Sequence, residues 1–247
     1  MHGRAVDAPR WAARSDTRAG AAPVLLQAGD SPRGRDFGAR WGDVIFAIER
    51  TAEELLAKKR DIQRRATAIG REAERIKLFA AVQPIKGETT DIARARRDYL
   101  RELVTPEAAL VFFGHFSRLD LSQVDPEEPY LKVLDERATD EQRGCRAIAA
   151  LDELLGSRRG TATIADAAVE FSQSELTPQI VGTGREVAKG LAEIFASGAA
   201  DGFLITPTHF PGTFDEFGRA VIPHLQELGV FKTEYSGTTL RGNLGIG

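Results

Sequence analysis

The sequence predicts an α/β protein built on a parallel sheet, and three observations carry that expectation. Short apolar runs without polar alternation mark strands buried on both faces. Each is followed by a stretch of helical length and pattern, as in a sheet covered by helices. Ser or Thr stands where several of those helices would begin, twice with Glu three places on.

The elements follow in order. "PVLLQAG", residues 23–29, is a short strand bounded by Pro and Gly. Residues 32–41 are a helix with Phe37 and Trp41 spaced i, i+4 on one face. "DVIFAI", 43–48, is a second strand. A long charged helix runs from about Thr51 to Lys77, opened by Thr51 with Glu54 in the capping-box position and open to interruption at Gly70. Its six basic residues between Lys58 and Arg71 are interleaved with acids and lack aromatics, so it reads as a solvated face and not as a nucleic-acid patch. "KLFAAVQPI", 77–85, is the third strand, and "TTDIARARRDYLREL" is helical.

From Gly114 to about Gln179 the chain turns polar and loop-rich, with short helices expected at 139–156 and 161–172. This segment reads as an insertion over a more regular scaffold. An amphipathic helix then carries Val187, Leu191 and Ile194 on one stripe. "DGFLITP", 201–207, is the fourth strand, and a helix capped by Thr213 with Glu216 follows. Strands 24–28, 43–48, 78–84 and 202–206 should be parallel neighbours in one sheet with helices on one side.

Composition excludes several classes. The 247 residues are 42% hydrophobic and 28% charged with a formal net charge of −3, which gives no general pull toward nucleic acid or an anionic membrane. No run approaches the roughly 18 apolar residues of a membrane span. The single Cys145 excludes an internal disulfide framework and fits the cytoplasm. Residues 1–22 are rich in Arg and Ala, yet Asp7, Pro9 and Asp16 and the lack of an apolar core exclude a secretory signal, so they read as a poorly ordered lead-in.

The chemistry-bearing stretch is "VLLQAGDSPRGRDFGAR", 24–40. Ser31 is a favoured N-cap and Pro32 a favoured first helical residue, so one reading of the turn is simply a helix start. The other is an anion site: Gly29 admits close backbone approach, the helix start carries free amides and a partial positive charge, and Arg33 and Arg35 lie nearby. Asp30 argues against an anion unless its carboxylate turns aside. His209 follows the last strand, at the ligand-binding end of a parallel sheet, but reads first as a solvated loop histidine. His115 opens the insertion among aromatics, and His224 has a packing or surface role. No histidine or carboxylate spacing supports a metal site, and no dinucleotide, Walker or nucleophile-elbow motif occurs.

Three segments together resemble one family. "PVLLQAGDSPRGRDFGARWGDVIF", "VGTGREVAKGLAEIFASGAADGFLI" and "FDEFGRAVIPHLQELGVFKTEYSGTTLRGNLGI" are similar to the luciferase-like, reduced-flavin-dependent monooxygenases, in the subgroup of nitrilotriacetate monooxygenase component A, dibenzothiophene-sulfone monooxygenase and pristinamycin synthase. The resemblance covers about residues 23–247. It implies a TIM-type (β/α)₈ barrel, reduced FMN delivered by a separate NAD(P)H-dependent flavin reductase, activation of O₂, and a small organic substrate. By the same resemblance Gly29, Asp30 and Ser31 match the turn that receives the FMN phosphate. No catalytic residue is assigned. The matched strands correspond to the last four of eight, so the fold expected is the C-terminal half of such a barrel, about four βα units, with a helical and loop insertion at about 114–179 before the last strand.

A half-barrel of that kind, from a truncated or split gene, would need the missing N-terminal half or a second copy of itself. The alternative is a non-catalytic half-barrel remnant or assembly subunit. Either version leaves apolar side chains uncovered, expected around Leu26, Ile45, Phe79 and Phe203.

Overall fold

A computed structural model describes residues 23–246; the lead-in expected over residues 1–22 lies outside them. The chain runs β1 (Leu26–Ala28), α1 (Pro32–Trp41), β2 (Val44–Ala47), α2 (Ala52–Ala68), β3 (Lys77–Lys86) and α3 (Thr90–Glu102). Then come α4 (Pro106–Ser117), α5 (Tyr130–Arg137), α6 (Asp140–Arg143), α7 (Arg146–Leu155) and α8 (Ile164–Ser172). It ends with β4 (Gln179–Gly182), α9 (Gly184–Ala196), β5 (Gly202–Ile205), α10 (Gly212–Ala220), α11 (Ile222–Glu227) and α12 (Leu240–Asn243).

Helix starts follow the side-chain chemistry. Thr51, Thr139, Thr163 and Thr183 each close a full capping box, with Glu54, Gln142, Asp166 and Glu186, and Thr89, Thr105 and Thr239 accept an amide of the first turn. Thr213 departs from expectation. It lies inside α10, buried, and its Oγ1 accepts the amides of Thr208 and His209, so it stitches the β5–α10 loop instead of capping the helix. The charged helix stops at Ala68 because Gly70 turns the chain with φ +76°.

All strand pairs are parallel. β1 pairs β2, β2 pairs β3, and β3 pairs β5, so the four expected strands are neighbours in one sheet. β4 is a fifth strand that the sequence did not signal: Pro178 and Gly182 bound it, and only Ile180 and Val181 make an apolar pair. The backbone shows where it sits. The amides of Lys77, Gln83 and Gly87 bond to Asp43, Pro178 and Gly182, whereas the carbonyls of Leu78 and Val82 accept from Asp201 and Thr206. β2 and β4 therefore share one edge of β3, one after the other, and β5 takes the opposite edge.

Register divides the side chains by face. Ile45, Ala47, Leu78, Ala80, Val82, Phe203 and Ile205 face the helical layer, where they pack with Ala39, Leu55, Ile62, Val187 and Leu191. The opposite face carries Leu26, Ala28, Val44, Phe46, Phe79, Ala81 and Leu204. On it Leu26 is 53% exposed and Phe46, Phe79 and Leu204 are only half-buried. The expectation of exposed residues thus holds for Leu26 and Phe79. It fails for Ile45, which is 2% exposed; Phe203 is half-buried like Phe79, although it points into the helical layer. Phe37 and Trp41 share one face of α1 as expected, and it is the outer one: the helix buries Gly38 and Ala39 and turns its aromatic pair to solvent.

The segment read as polar and loop-rich is helical. α4, α5, α7 and α8 enclose a separate core that includes Phe113, Tyr130, Leu134, Leu151 and Phe171. Short helices with polar outer faces dilute the apolar composition enough to hide that core from a linear reading. Tyr130 is fully buried there, and its hydroxyl donates to Asp152 at 3.0 Å; burial first, and then the Asp152 charge, push the phenol up.

At the other end of the sheet, Arg241 grips Asp43 through both guanidinium nitrogens, at 2.7 and 3.1 Å, while Asp43 accepts the Leu25 amide. The "TLR" of the tail is thus a clasp on the entry to β2.

Candidate functional site

The β1–α1 turn sits at the C-terminal end of its strand, where parallel α/β sheets bind ligands. Ser31 caps α1 in extended conformation, and its Oγ accepts the Gly34 amide at 3.1 Å. Pro32 has no amide and the Arg35 amide bonds the Ser31 carbonyl. The Ser31 hydroxyl proton and the Arg33 amide have no acceptor among the described residues and remain available as donors at the helix start. The turn is narrow because two glycines meet across it. A Cβ on Gly34 would stand 3.0 Å from the Gly29 carbonyl, and one on Gly29 would stand 2.7 Å from Gln27 Nε2. Gly29 and Ser31 are exposed there.

Asp30 turns aside, and the way it does so was not anticipated. Its carboxylate meets three cations: Arg35 at 2.9 Å, Lys58 at 2.9 Å and Arg146 at 2.6 Å. Burial alone would raise its pKa. The Lys58 hydrogen bond and the charges of Lys58, Arg146 and Arg35 outweigh that and hold the carboxyl below its ordinary value. Lys58 also bridges to Glu49, which follows β2, and Arg146 reaches Glu49 at 3.2 Å. Arg35 continues to Asp61 at 3.3 Å. The ends of β1 and β2, the middle of α2 and the start of α7 are thus joined by one charge network. Arg33 is left exposed at the turn and joins none of the ion pairs among the described residues.

Sequence reasoning missed Lys58, Glu49 and Arg146. Lys58 had a signal: it occupies the same stripe as Leu55, Ile62 and Ala66, all buried, so a lone lysine stood in a core register of a helix read as solvated throughout. Arg146 had none, because its partner is 116 residues away.

The other candidates are dispersed. His209 is exposed, with Nδ1 at 3.2 Å from the hydroxyls of Thr208 and Thr213. His115 packs edge-on against Phe116, and His224 pairs with Glu227 at 2.9 Å. Cys145 precedes α7 with no thiol partner. Among the described residues no group of three or more His, Cys, Asp or Glu side chains could hold a metal, and no helix is long and apolar enough to cross a membrane.

No protein-family profile matches the chain. Individual proteins do. Dibenzothiophene-sulfone monooxygenase of Rhodococcus erythropolis is 37% identical over 228 residues, 91% of this chain and 49% of that protein. Nitrilotriacetate monooxygenase component A of Aminobacter aminovorans is 32% identical over 225 residues, 91% of this chain and 48% of that protein. Among solved structures, riboflavin lyase with a modified FMN and its substrate riboflavin superposes with a TM-score of 0.72 at 34% identity, covering 90% of this chain and 47% of that one. The chain is thus similar in sequence to proteins named as monooxygenases, and its parallel α/β fold matches that of the dimethyl-sulfide monooxygenase relative from Hyphomicrobium sulfonivorans. It spans about half the length of the curated relatives it matches.

Proposed function

We propose that this chain supplies the cofactor-phosphate turn of a reduced-FMN-dependent monooxygenase acting on a small organic substrate. The observation that carries the reading is the Gly29–Gly34 turn: two glycines packed backbone to backbone, with the Ser31 hydroxyl and the Arg33 amide available as donors at a helix start. This donor set fits a phosphate. Ser31 donates its hydroxyl proton, the Arg33 amide donates beside it, and the exposed Arg33 guanidinium adds charge. Gly29 keeps the approach open. Asp30 braces the turn from behind, its charge already met by Lys58, Arg35 and Arg146. Reduced FMN, when bound, supplies the activation of O₂, and a separate NAD(P)H-dependent flavin reductase supplies the reduced flavin. The chain's own residues hold and shield the cofactor.

We further infer that β1, β2, β3 and β5 are the second half of an eight-stranded barrel. A further stretch of polypeptide, continuous with this one or separate, would supply the other four strands. The support is threefold: the similarity to relatives covers half their length, β1 and β5 each have an unpaired edge among the described residues, and one sheet face is incompletely covered by them.

Flavin titration of this chain, assembled with the N-terminal half of a relative, tests the turn. Ser31→Ala removes a hydrogen bond to a charged group, about 1.5–3 kcal/mol, or roughly ten- to hundredfold in affinity. Ser31→Asp separates the two roles of the residue, since Asp caps a helix but repels a phosphate. It should fold normally and lose FMN. If Ser31→Asp binds FMN as the parent does, the turn is only a helix start.

A further inference from the structure

A second concavity lies away from the charge network. It opens between α3, the end of α8, β4 and the loop after β5, with a volume of about 350 Å³, within the usual range for small-ligand sites. Gln83, on its floor, lies just past the level at which the β2 and β5 pairings end, so the cleft also belongs to the C-terminal end of the sheet. One strand, β2, separates β3 from β1. At ordinary strand spacing the cleft is about 10 Å across the sheet from the Ser31 turn.

We propose that this cleft binds a small organic anion, with a carboxylate or sulfonate head between Arg97 and Arg101 and an apolar body against Leu100, Leu103 and Pro207. The proposal rests on the reading above only in calling that anion the substrate.

Arg97 and Arg101 both line the cleft, one helical turn apart on α3. Like charges at i, i+4 repel, and an anion between them removes the penalty. Neither guanidinium is saturated. Arg97 donates through Nε and Nη2 to the adjacent Asp98 alone, and Arg101 has Glu170 at 3.4 Å, a carboxylate that also pairs with Arg158 at 3.1 Å. Each guanidinium has five N–H donors, so several are left over.

The remaining polar wall also favours an acceptor ligand. Gln83 is 6% exposed, and its Oε1 takes the Nε2 donor of Gln179 at 2.8 Å, which leaves the Gln83 amide nitrogen free to donate. Gln173 Nε2 is buried and has no hydrogen-bond partner, an unfavourable condition that an anion's oxygen would relieve. Among the described residues, Asp98 and Glu170 are the carboxylates paired with these arginines, and neither is itself a lining residue. Leu100, Leu103, Val104 and Pro207 add apolar lining, with Leu103 58% exposed. Arginine and amide donors interleaved with hydrocarbon match an organic acid.

The test is a ligand-observed NMR titration of the full chain, without flavin and at low ionic strength, with hexanoate and its neutral isostere hexanamide. Hexanoate should bind at least tenfold more tightly. Arg97→Gln with Arg101→Gln should weaken hexanoate at least tenfold, while Arg75→Gln, an exposed arginine elsewhere, should change nothing. Leu103→Asp places a carboxylate at an exposed lining position without touching the core. It should abolish binding, and it serves if the double variant fails to fold. Equal binding of hexanoate and hexanamide, no binding of either, or hexanoate binding unchanged by both the arginine and the Leu103 variants overturns the proposal. Ser31→Asp keeps the two readings apart. It should bind hexanoate as the parent does, whatever it does to FMN.

Discussion

Arg146 Nη1 lies 2.6 Å from Asp30 Oδ2, a contact between the first residue of α7 and the turn after β1. The helical segment between β3 and β4, which has its own core, is thereby fastened to the turn proposed to hold a phosphate. A second tie runs parallel to it: Arg50, after β2, meets Glu153 of α7 at 3.0 Å. Both ties are ionic and partly exposed, whereas Lys58 beneath them is 7% exposed and carries the two carboxylates Asp30 and Glu49.

Burial should set the order of effects in this network. Lys58→Ala leaves Asp30 and Glu49 facing each other with the buried cation gone. It should cost about 2–3 kcal/mol, below the full cost of breaking a buried pair because Asp30 is a third exposed and keeps Arg35 and Arg146. Arg146→Ala removes a partner that is 42% exposed and should cost about 0.5–1 kcal/mol. Urea denaturation of the two variants measures both, and the reverse order would show that the network is not organised around Lys58.

Acid should loosen the turn and the tail clasp together. Burial raises the pKa of Asp30 and Asp43, but cationic partners and hydrogen bonds, Lys58 for Asp30 and Arg241 for Asp43, win in each case and bring them below 3.8. The unfolded chain therefore takes up these protons first as pH falls. Their contribution is complete above the unfolded value and disappears as pH drops through the lower folded values. Urea midpoints should hold steady from neutral pH to about 5 and fall below about 4. Asp43→Asn should start lower and fall less steeply.

Two glycines of nearby helices should respond in opposite senses to Ala. A Cβ on Gly184, at the start of α9, would overlap the carbonyl oxygen of Ala220, which is backbone and cannot swing away. Gly184→Ala should cost about 1–3 kcal/mol. Gly218, inside α10, has nothing within 4 Å of such a Cβ, and its φ is not positive. Gly218→Ala should gain about 0.5–1 kcal/mol from helix propensity. Thermal melts of the pair decide the matter.

The incompletely covered face of the sheet predicts solution behaviour. Leu26, 53% exposed, lies on β1, an edge strand among the described residues, with Phe46, Phe79 and Leu204 half-buried on the same face. The isolated chain should bind a hydrophobic dye and self-associate at micromolar concentration. Leu26→Glu should reduce both at little cost in stability. A chain that stays monomeric by light scattering and leaves the dye dark contradicts this.

Much of the scaffold was legible in the sequence because it is written locally. Runs such as "DVIFAI" and "KLFAAVQPI" have no polar alternation, and Thr51 with Glu54 caps a helix by neighbours alone. What stayed hidden depends on partners far along the chain. The facing of Ile45 and Phe203 is fixed by register, which an all-apolar strand does not declare. β4 exists because β3 is long enough to offer it an edge. At the proposed site, Ser31 and Gly29 were readable as a turn with donors. The state of Asp30 was not, since two of its three cations come from α2 and α7. Gln83 and Gln179, 96 residues apart, meet only through β4.

β3 runs ten residues and bonds with β2, β4 and β5, so the sheet closes over very unequal stretches of chain. Phe46 and Phe79 are 33 residues apart, whereas Ala80 and Phe203 are 123 apart. Contacts of long sequence separation form late and slowly. The helical segment between them offsets part of this delay. α4 to α8 enclose their core from residues 109–171 without help from the sheet, and a folded body in the middle of a loop draws its ends together. The kinetic signature expected in refolding is a fast phase from the helices, followed by a slow one in which β5 reaches the far edge of β3. During that interval the β3 edge stands open to any other strand in the vessel.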